Sequence, residues 1–186
     1  MREWFDVVDE KGNPTGETVE REYAHRNGVR HRTAHLWLAR EKNGCPQILL
    51  QKRSANKDSH PGCYDISSAG HIPAGVEYRE SAVRELKEEL GIDANETELI
   101  FCGDRTVAWD DCFHGKPFHD RQHSRVFLLW RDLPEESFAV DPGEVESVRW
   151  MDFAECYQGV EKGLFPNCIA PEELEILKTF LKYREG

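Results

Sequence analysis

The chain has 186 residues, 39% hydrophobic and 32% charged; this length and balance suit one globular domain with a real core and argue against disorder. Its formal net charge of −11, from 24 Lys and Arg against 35 Asp and Glu, disfavours a nucleic-acid-binding surface, which needs clustered cations to replace phosphate counterions. No apolar run approaches the length that a membrane span requires.

At the N-terminus, WFDVV and ETVE flank the turn-rich EKGNPTG, with Gly12, Pro14 and Gly16, and predict a β-hairpin. The opening MREWFDVVDE has neither the basic start nor the apolar core of a secretory signal. The 6 cysteines form no CxxC pair, so they suggest neither a zinc site nor a disulfide framework, and a cytoplasmic protein with reduced thiols is expected. A second hairpin follows, with strands at Ala34 to Ala39 and Gln47 to Arg53 separated by EKNGCP. After the loop SHPGCYD come a short strand candidate, DISSA, the glycine-bearing GHIPAG, and a helix from about Glu77 to Leu90. Strand candidates recur at ELIFCG, RVFLLW and VESVRWM, and PEELEILKTFLKYRE closes the chain as a helix, with Pro171 suited to its first turn. Hairpins, helix, further strands and terminal helix make an α+β order, not the alternation of a doubly wound sheet.

The helix carrying RELKEELG, Arg84 to Gly91, is unusual in its charge. Ala82, Val83, Leu86 and Leu90 make an apolar stripe for the core. Glu85, Glu88 and Glu89 fall beside it, within an arc of about 100°. Like charges at this spacing cost about 0.2–0.5 kcal/mol per pair, and acids in a last turn face the negative end of the helix dipole. Gly91 has a simpler explanation as the left-handed residue after the helix. An acidic face disfavoured twice suggests a bound divalent cation, and magnesium, a hard ion that takes carboxylate, water and phosphate oxygens, suits it. GHIPAG can bring a backbone carbonyl beside these carboxylates.

The segment GHIPAGVEYRESAVRELKEELGI, Gly70 to Ile92, resembles a Nudix box, G-x5-E-x7-R-E-U-x-E-E-x-G-U with U a bulky aliphatic residue. Gly70, Arg84, Glu85, Leu86, Glu88, Glu89, Gly91 and Ile92 match. The pattern's first glutamate falls on Val76, with Glu77 one residue late; its loss is expected to alter helix anchoring more than chemistry. Outside the box, WFDVVDEKGNPTG, HRTAHLWLA, LLQKRS and PGCYDISSAGH look like the Nudix branch related to isopentenyl diphosphate isomerase.

This resemblance implies an α+β Nudix-type α/β/α sandwich with a mixed sheet. A single Nudix domain would span 1–186, with an N-terminal β-hairpin extension over 1–30, the box at 70–92 and a C-terminal helix over 170–185. It also implies hydrolysis of a diphosphate joined to another moiety. Gly70, Glu85, Glu88 and Glu89 would hold Mg2+, with Mn2+ an alternative ion, and Arg84 would join the three glutamates as the catalytic set. Lys52, Arg53, Lys57 and His71 are the candidate substrate-binding residues. Asp120, Glu144 and Glu146 are candidate bases outside the box, for which ordinary surface exposure is the favoured reading.

Two further readings stay open. Isomerase relatives bind a metal through histidines at places resembling His25, His31 and His71; against that reading, their catalytic cysteine position is Ala69 here and the box is intact. His25 and His31 are accordingly read as surface or structural residues. The third reading is a Nudix fold used as a ligand-sensing module. Substrate identity rests on the segment Val107 to Asp120, read as a loop whose Trp109, Phe113 or Phe118 either stacks on a nucleobase or closes the core. The expected partner is a small diphosphate-containing substrate, with a nucleoside diphosphate derivative favoured. Nucleic acid and membrane are not expected partners, and a homodimer is left open.

Overall fold

The computed structural model describes residues 2–181. Strands β1 (Trp4–Val8) and β2 (Pro14–Glu20) pair as an antiparallel hairpin, followed by the short helix α1 (Arg21–Asn27). Phe5, Val19 and Ala24 give this extension a small apolar core. It is fastened to the rest by Arg32, which donates to Asp6 at 2.6 Å, and by the Ala74 amide, which donates to the Trp4 carbonyl.

The main sheet begins with β3 (His31–Lys42), β4 (Cys45–Arg53), β5 (Tyr64–Asp65) and β6 (Ser68–His71). After helix α2 (Tyr78–Leu90) come β7 (Ile100–Phe113), β8 (Lys116–Trp130) and β9 (Val145–Asp152), then α3 (Phe153–Lys162) and α4 (Pro171–Leu181). The sheet runs β5-β4-β3-β8-β7, with β6 pairing with β3 and β9 with β4. It is mixed, because β3 and β8 are parallel while the other pairs are antiparallel.

Successive strand residues point to opposite faces, and both faces of this sheet are covered. Leu36, Leu38, Leu49, Phe127 and Leu129 pack under Ala82, Leu86 and Leu90 of α2. Trp37, Ala39, Ile48, Leu50, Val126 and Leu128 pack under Phe153 and Cys156 of α3 and Leu174, Leu177 and Leu181 of α4. Two covered faces explain why the central strands read as almost unbroken apolar runs. The result is the expected α+β sandwich with an N-terminal hairpin.

Two sequence expectations need correction. Helices α1 and α3 were not foreseen. The segment Val107 to Asp120 is not a loop but the arms of the β7–β8 hairpin, turned by His114 and Gly115 at φ 51° and 73°, the left-handed pair of a tight two-residue turn. The terminal helix was placed at 170–185; it is observed as Pro171–Leu181, and 182–186 lie outside the described residues.

Candidate active site

Helix α2 ends where the sequence indicates, with Gly91 at φ 71° and its amide on the Lys87 carbonyl. That ending places Glu85, Glu88 and Glu89 in the last two turns, against β6. Gly70 in β6 has no room for a side chain: a Cβ there would overlap the Glu85 carboxyl. Arg84 sits between two of the acids, donating to Glu85 Oε1 at 2.6 Å and Glu88 Oε2 at 3.0 Å. It thereby compensates like charges that would otherwise repel.

The three carboxylates have different environments. Glu88 is exposed, whereas Glu89 is only 8% exposed, and its Oε2 is buried without a hydrogen-bond partner. Burial pushes the Glu89 carboxyl up to about 8, with Glu85 and Asp65 adding to the rise. Burial also raises Glu85, an effect that Arg84 offsets and Glu88 reinforces. A buried carboxylate oxygen with nothing to accept from, beside a second raised carboxyl and a glycine backbone, is a donor set of hard oxygens that fits Mg2+.

A second constellation lies at the N-terminal end of β3. His25 of α1, His31 of β3, His71 of β6 and Asp120 of β8 present ligand atoms all within 4.8 Å of one another. The imidazole centroids form a nearly equilateral triangle, 5.0, 5.1 and 5.1 Å on its sides. His25 Nδ1 donates to the Arg21 carbonyl at 3.0 Å and His31 Nδ1 to the Val29 carbonyl at 2.9 Å. Because a carbonyl only accepts, those rings in their neutral form carry a bare lone pair on Nε2. Burial lowers all three histidines, His25 to about 4, and raises Asp120.

The Nudix domain model matches residues 29–167. The chain belongs to the Nudix family. Nudix hydrolase 3 of Arabidopsis thaliana is 40% identical over 159 residues, covering 82% of this chain and 20% of the plant protein. A Nudix hydrolase of Clostridium acetobutylicum is 36% identical over 143 residues, covering 77% of this chain and 66% of that one. The chain thus spans about one fifth of the plant relative's length and just under two thirds of the clostridial one's. DR0079 of Deinococcus radiodurans superposes with a TM-score of 0.67 at 18% identity, over 95% of this chain and 98% of that one, a likeness of fold.

Within the Nudix frame, the structure brings Gly70, Arg84, Glu85 and Glu89 into contact or close approach and leaves Glu88 on the open side, held by Arg84. Val76, where the Nudix pattern has its first glutamate, packs its side chain partly into the core. Its carbonyl accepts from Arg32 at 2.9 Å, and the Gly75 amide donates to Asp6 at 2.9 Å. Asp6 and Arg32 therefore anchor the entry to α2, the part that the missing acid was expected to affect.

The candidate phosphate cations are already paired. Lys52 holds Glu146 at 2.7 Å, Lys57 holds Glu144, and Arg53 donates to Asp65 at 3.0 Å. The charge of Asp65 contributes to raising Glu89, which links Arg53, through its pairing with Asp65, electrostatically to the Nudix box. His71 follows Gly70 in the strand and so points to the opposite face, where its ring stacks on Phe5 at 5.0 Å. It therefore does not face the carboxylates, and the expected substrate-binding role beside them does not hold for it.

Asp120 is also corrected: it is 5% exposed, not a surface acid, while Glu144 and Glu146 keep about half of their side-chain surface. His25 and His31, read as surface or structural residues, are buried at 5% and 0% with Nε2 atoms that have no partner. Their spacing gave no metal-ligand signature, because the four residues come from four separate elements. Trp109, Phe113 and Phe118 pack on one another with centroids 5.1 to 6.1 Å apart, and the Trp109 indole donates to Asp120 at 3.1 Å.

Proposed function

We propose that this chain is a Mg2+-dependent Nudix pyrophosphohydrolase that cleaves the diphosphate linkage of a small metabolite, with nucleoside diphosphate derivatives as the substrate class. The observation that carries the reading is Glu89: a buried, partnerless carboxylate oxygen beside Glu85, on the helix that carries the Nudix motif. Family membership supports hydrolysis of a phosphoric anhydride and use of a divalent ion. The preference for nucleosides rests on the substrate class expected of the family.

Gly70, Glu85, Glu88 and Glu89 would hold the ion, and Mn2+ would fit the same oxygens. When bound, it supplies neutralisation of phosphate charge and a lower pKa for water. The side chains do the remaining work. Arg84 keeps the Glu85 and Glu88 carboxylates oriented. Glu89, with its proton released, would be one of the oxygens that hold the ion. Arg53, Lys52 and Lys57 exchange Asp65, Glu146 and Glu144 for phosphate oxygens, which gives an acidic protein a local cationic grip. In the same reading the chain works as one cytoplasmic unit on a small substrate.

The test is a panel of nucleoside diphosphate derivatives and other small diphosphates, scored for phosphate products with Mg2+ or Mn2+. Wild-type protein should cleave at least one class, and Glu88→Gln should lower that turnover by at least about 100-fold with the melting temperature held, since ligand loss removes metal positioning. Undiminished turnover by Glu88→Gln refutes the assignment. The histidine cluster favours a second reading, isomerisation of an alkenyl diphosphate, which Ala69 opposes by removing the thiol; deuterium uptake from heavy water without cleavage would support it.

A further inference from the structure

We propose that the cavity between the N-terminal extension and the tip of the β7–β8 hairpin receives the non-phosphate end of the substrate, and that this end is a nucleobase stacked on Phe113. The proposal rests on the hydrolase reading for the phosphate end alone, and binding at the base end is measurable without turnover.

The first argument is the space. The cavity has a volume of about 530 Å3, inside the range of about 300–1,000 Å3 that small-molecule sites occupy. The extension supplies one wall and the hairpin tip the other. Lys116 of the tip stands 3.7 Å from Glu22 of α1, and His114 stands 2.9 Å from Asp58. All four are exposed, so these pairs are weak and can be exchanged for contacts to a ligand.

The second argument is placement. The cavity reaches inward to His25, whose ring centroid is 5.1 Å from that of His71, the residue after Gly70 at the start of the Nudix box. Glu3 and Arg21, also on its wall, pair at 2.7 Å. The next residue, Trp4, accepts from the Ala74 amide within the box. The cavity therefore adjoins the box, as a moiety joined to the diphosphate requires.

The third argument is chemistry. Arg2, Arg21, Arg26 and Lys116 balance four acids on the walls, so the cavity is formally neutral in a molecule of net charge −11 and does not turn away an anionic ligand. An alkenyl chain would strip water from these charged groups and replace none of their hydrogen bonds. A nucleobase presents edge donors and acceptors to Glu22, Arg26 and Lys116, and a flat face to an aromatic ring. Phe118 is already stacked on His25, with centroids 4.5 Å apart and planes at 11°. Phe113 meets Trp109 and Phe118 at 79° and 72°, so neither ring lies flat on it. Stacking accepts any base, which leaves the choice among bases to Glu22, Arg26 and Lys116.

The test titrates the full chain in chelator, by calorimetry, with nucleoside monophosphates, ribose 5-phosphate and an alkenyl monophosphate. At least one nucleoside monophosphate should bind about tenfold or more tightly than either of the other two, and Phe113→Ala should erase most of that preference. Should Phe113→Ala fail to fold, nuclear magnetic resonance of the wild-type complex decides: through-space transfer between base protons and the Phe113 ring supports the site, and its absence overturns it. Equal affinity for nucleoside monophosphates and ribose 5-phosphate, tighter binding of the alkenyl monophosphate, or a preference that survives Phe113→Ala would also overturn it. Base-dependent binding with no diphosphate cleaved when Mg2+ is supplied would support the site and refute the hydrolase reading alone.

Discussion

Glu89 shows how one residue can be wrong for its helix and right for its site. It lies in the last turn of α2, where the helix dipole disfavours an anion, and burial further raises its carboxyl from the ordinary 4.5 to about 8. Between those two values the folded chain holds a proton that the unfolded chain has released, so stability falls as pH rises from about 4.5 to about 8. In the proposed function, Mg2+ would compete with that proton and relieve the buried charge. Thermal unfolding in chelator should therefore show the metal-free protein losing stability over this range, on the order of a few kcal/mol. The stabilisation that Mg2+ confers should be larger above about pH 8 than near pH 6; equal stabilisation at both would mean that Glu89 is not a ligand. The crowding of Glu85, Glu88 and Glu89 was legible in RELKEELG as an electrostatic conflict. Which of them is buried was not, because burial depends on the packing of β6 against α2.

At the scale of elements, α4 is held by more than its leucines. Glu173, in its first turn, is 1% exposed and accepts from His35 Nδ1 at 3.0 Å and Trp37 Nε1 at 2.8 Å, with Arg105 at 3.4 Å. Burial alone would raise this carboxyl, but His35, Trp37 and Arg105 together bring it below the ordinary range. Glu173→Ala would leave a buried indole and the half-buried His35 and Arg105 without their acceptor, at a cost of about 3 kcal/mol, read as a drop in melting temperature. A loss under about 1 kcal/mol would show that the network is solvated. PEELEILKTFL announces a helix by its Pro171 start and apolar periodicity, yet nothing local marks Glu173 as buried. Helix α1 escaped notice because its 7 residues are too short for a periodic signal. Helix α3 carries an interior Gly159, which reads as a breaker; its place is explained by the Phe165 ring, which a Cβ there would meet. The β7–β8 turn was hidden because His114 supplies a left-handed conformation usually left to Gly, Asn or Asp.

Across the whole molecule, one sheet carries both constellations back to back. Gly70 and His71 are neighbours in β6, one facing Glu85 and the other facing His25 and His31. The Nudix box was readable because its residues are consecutive in sequence; His25, His31 and His71 were grouped only through the isomerase resemblance, and the convergence of Asp120 on them was not readable, because strand register brings His31 of β3 and Asp120 of β8 together. With a net charge of −11, the molecule pairs its candidate phosphate-binding cations Lys52, Arg53 and Lys57 internally, so in the proposed function substrate entry would exchange those carboxylates for phosphate oxygens. The central claim is that the site adds water across a diphosphate. Its most direct test is reaction in 18O-labelled water with Mg2+, followed by mass spectrometry of the products. The account predicts a single solvent oxygen in one of the two phosphate products and none in the other. Unlabelled substrate recovered without cleavage, but carrying solvent-derived deuterium after a parallel incubation in heavy water, would contradict it.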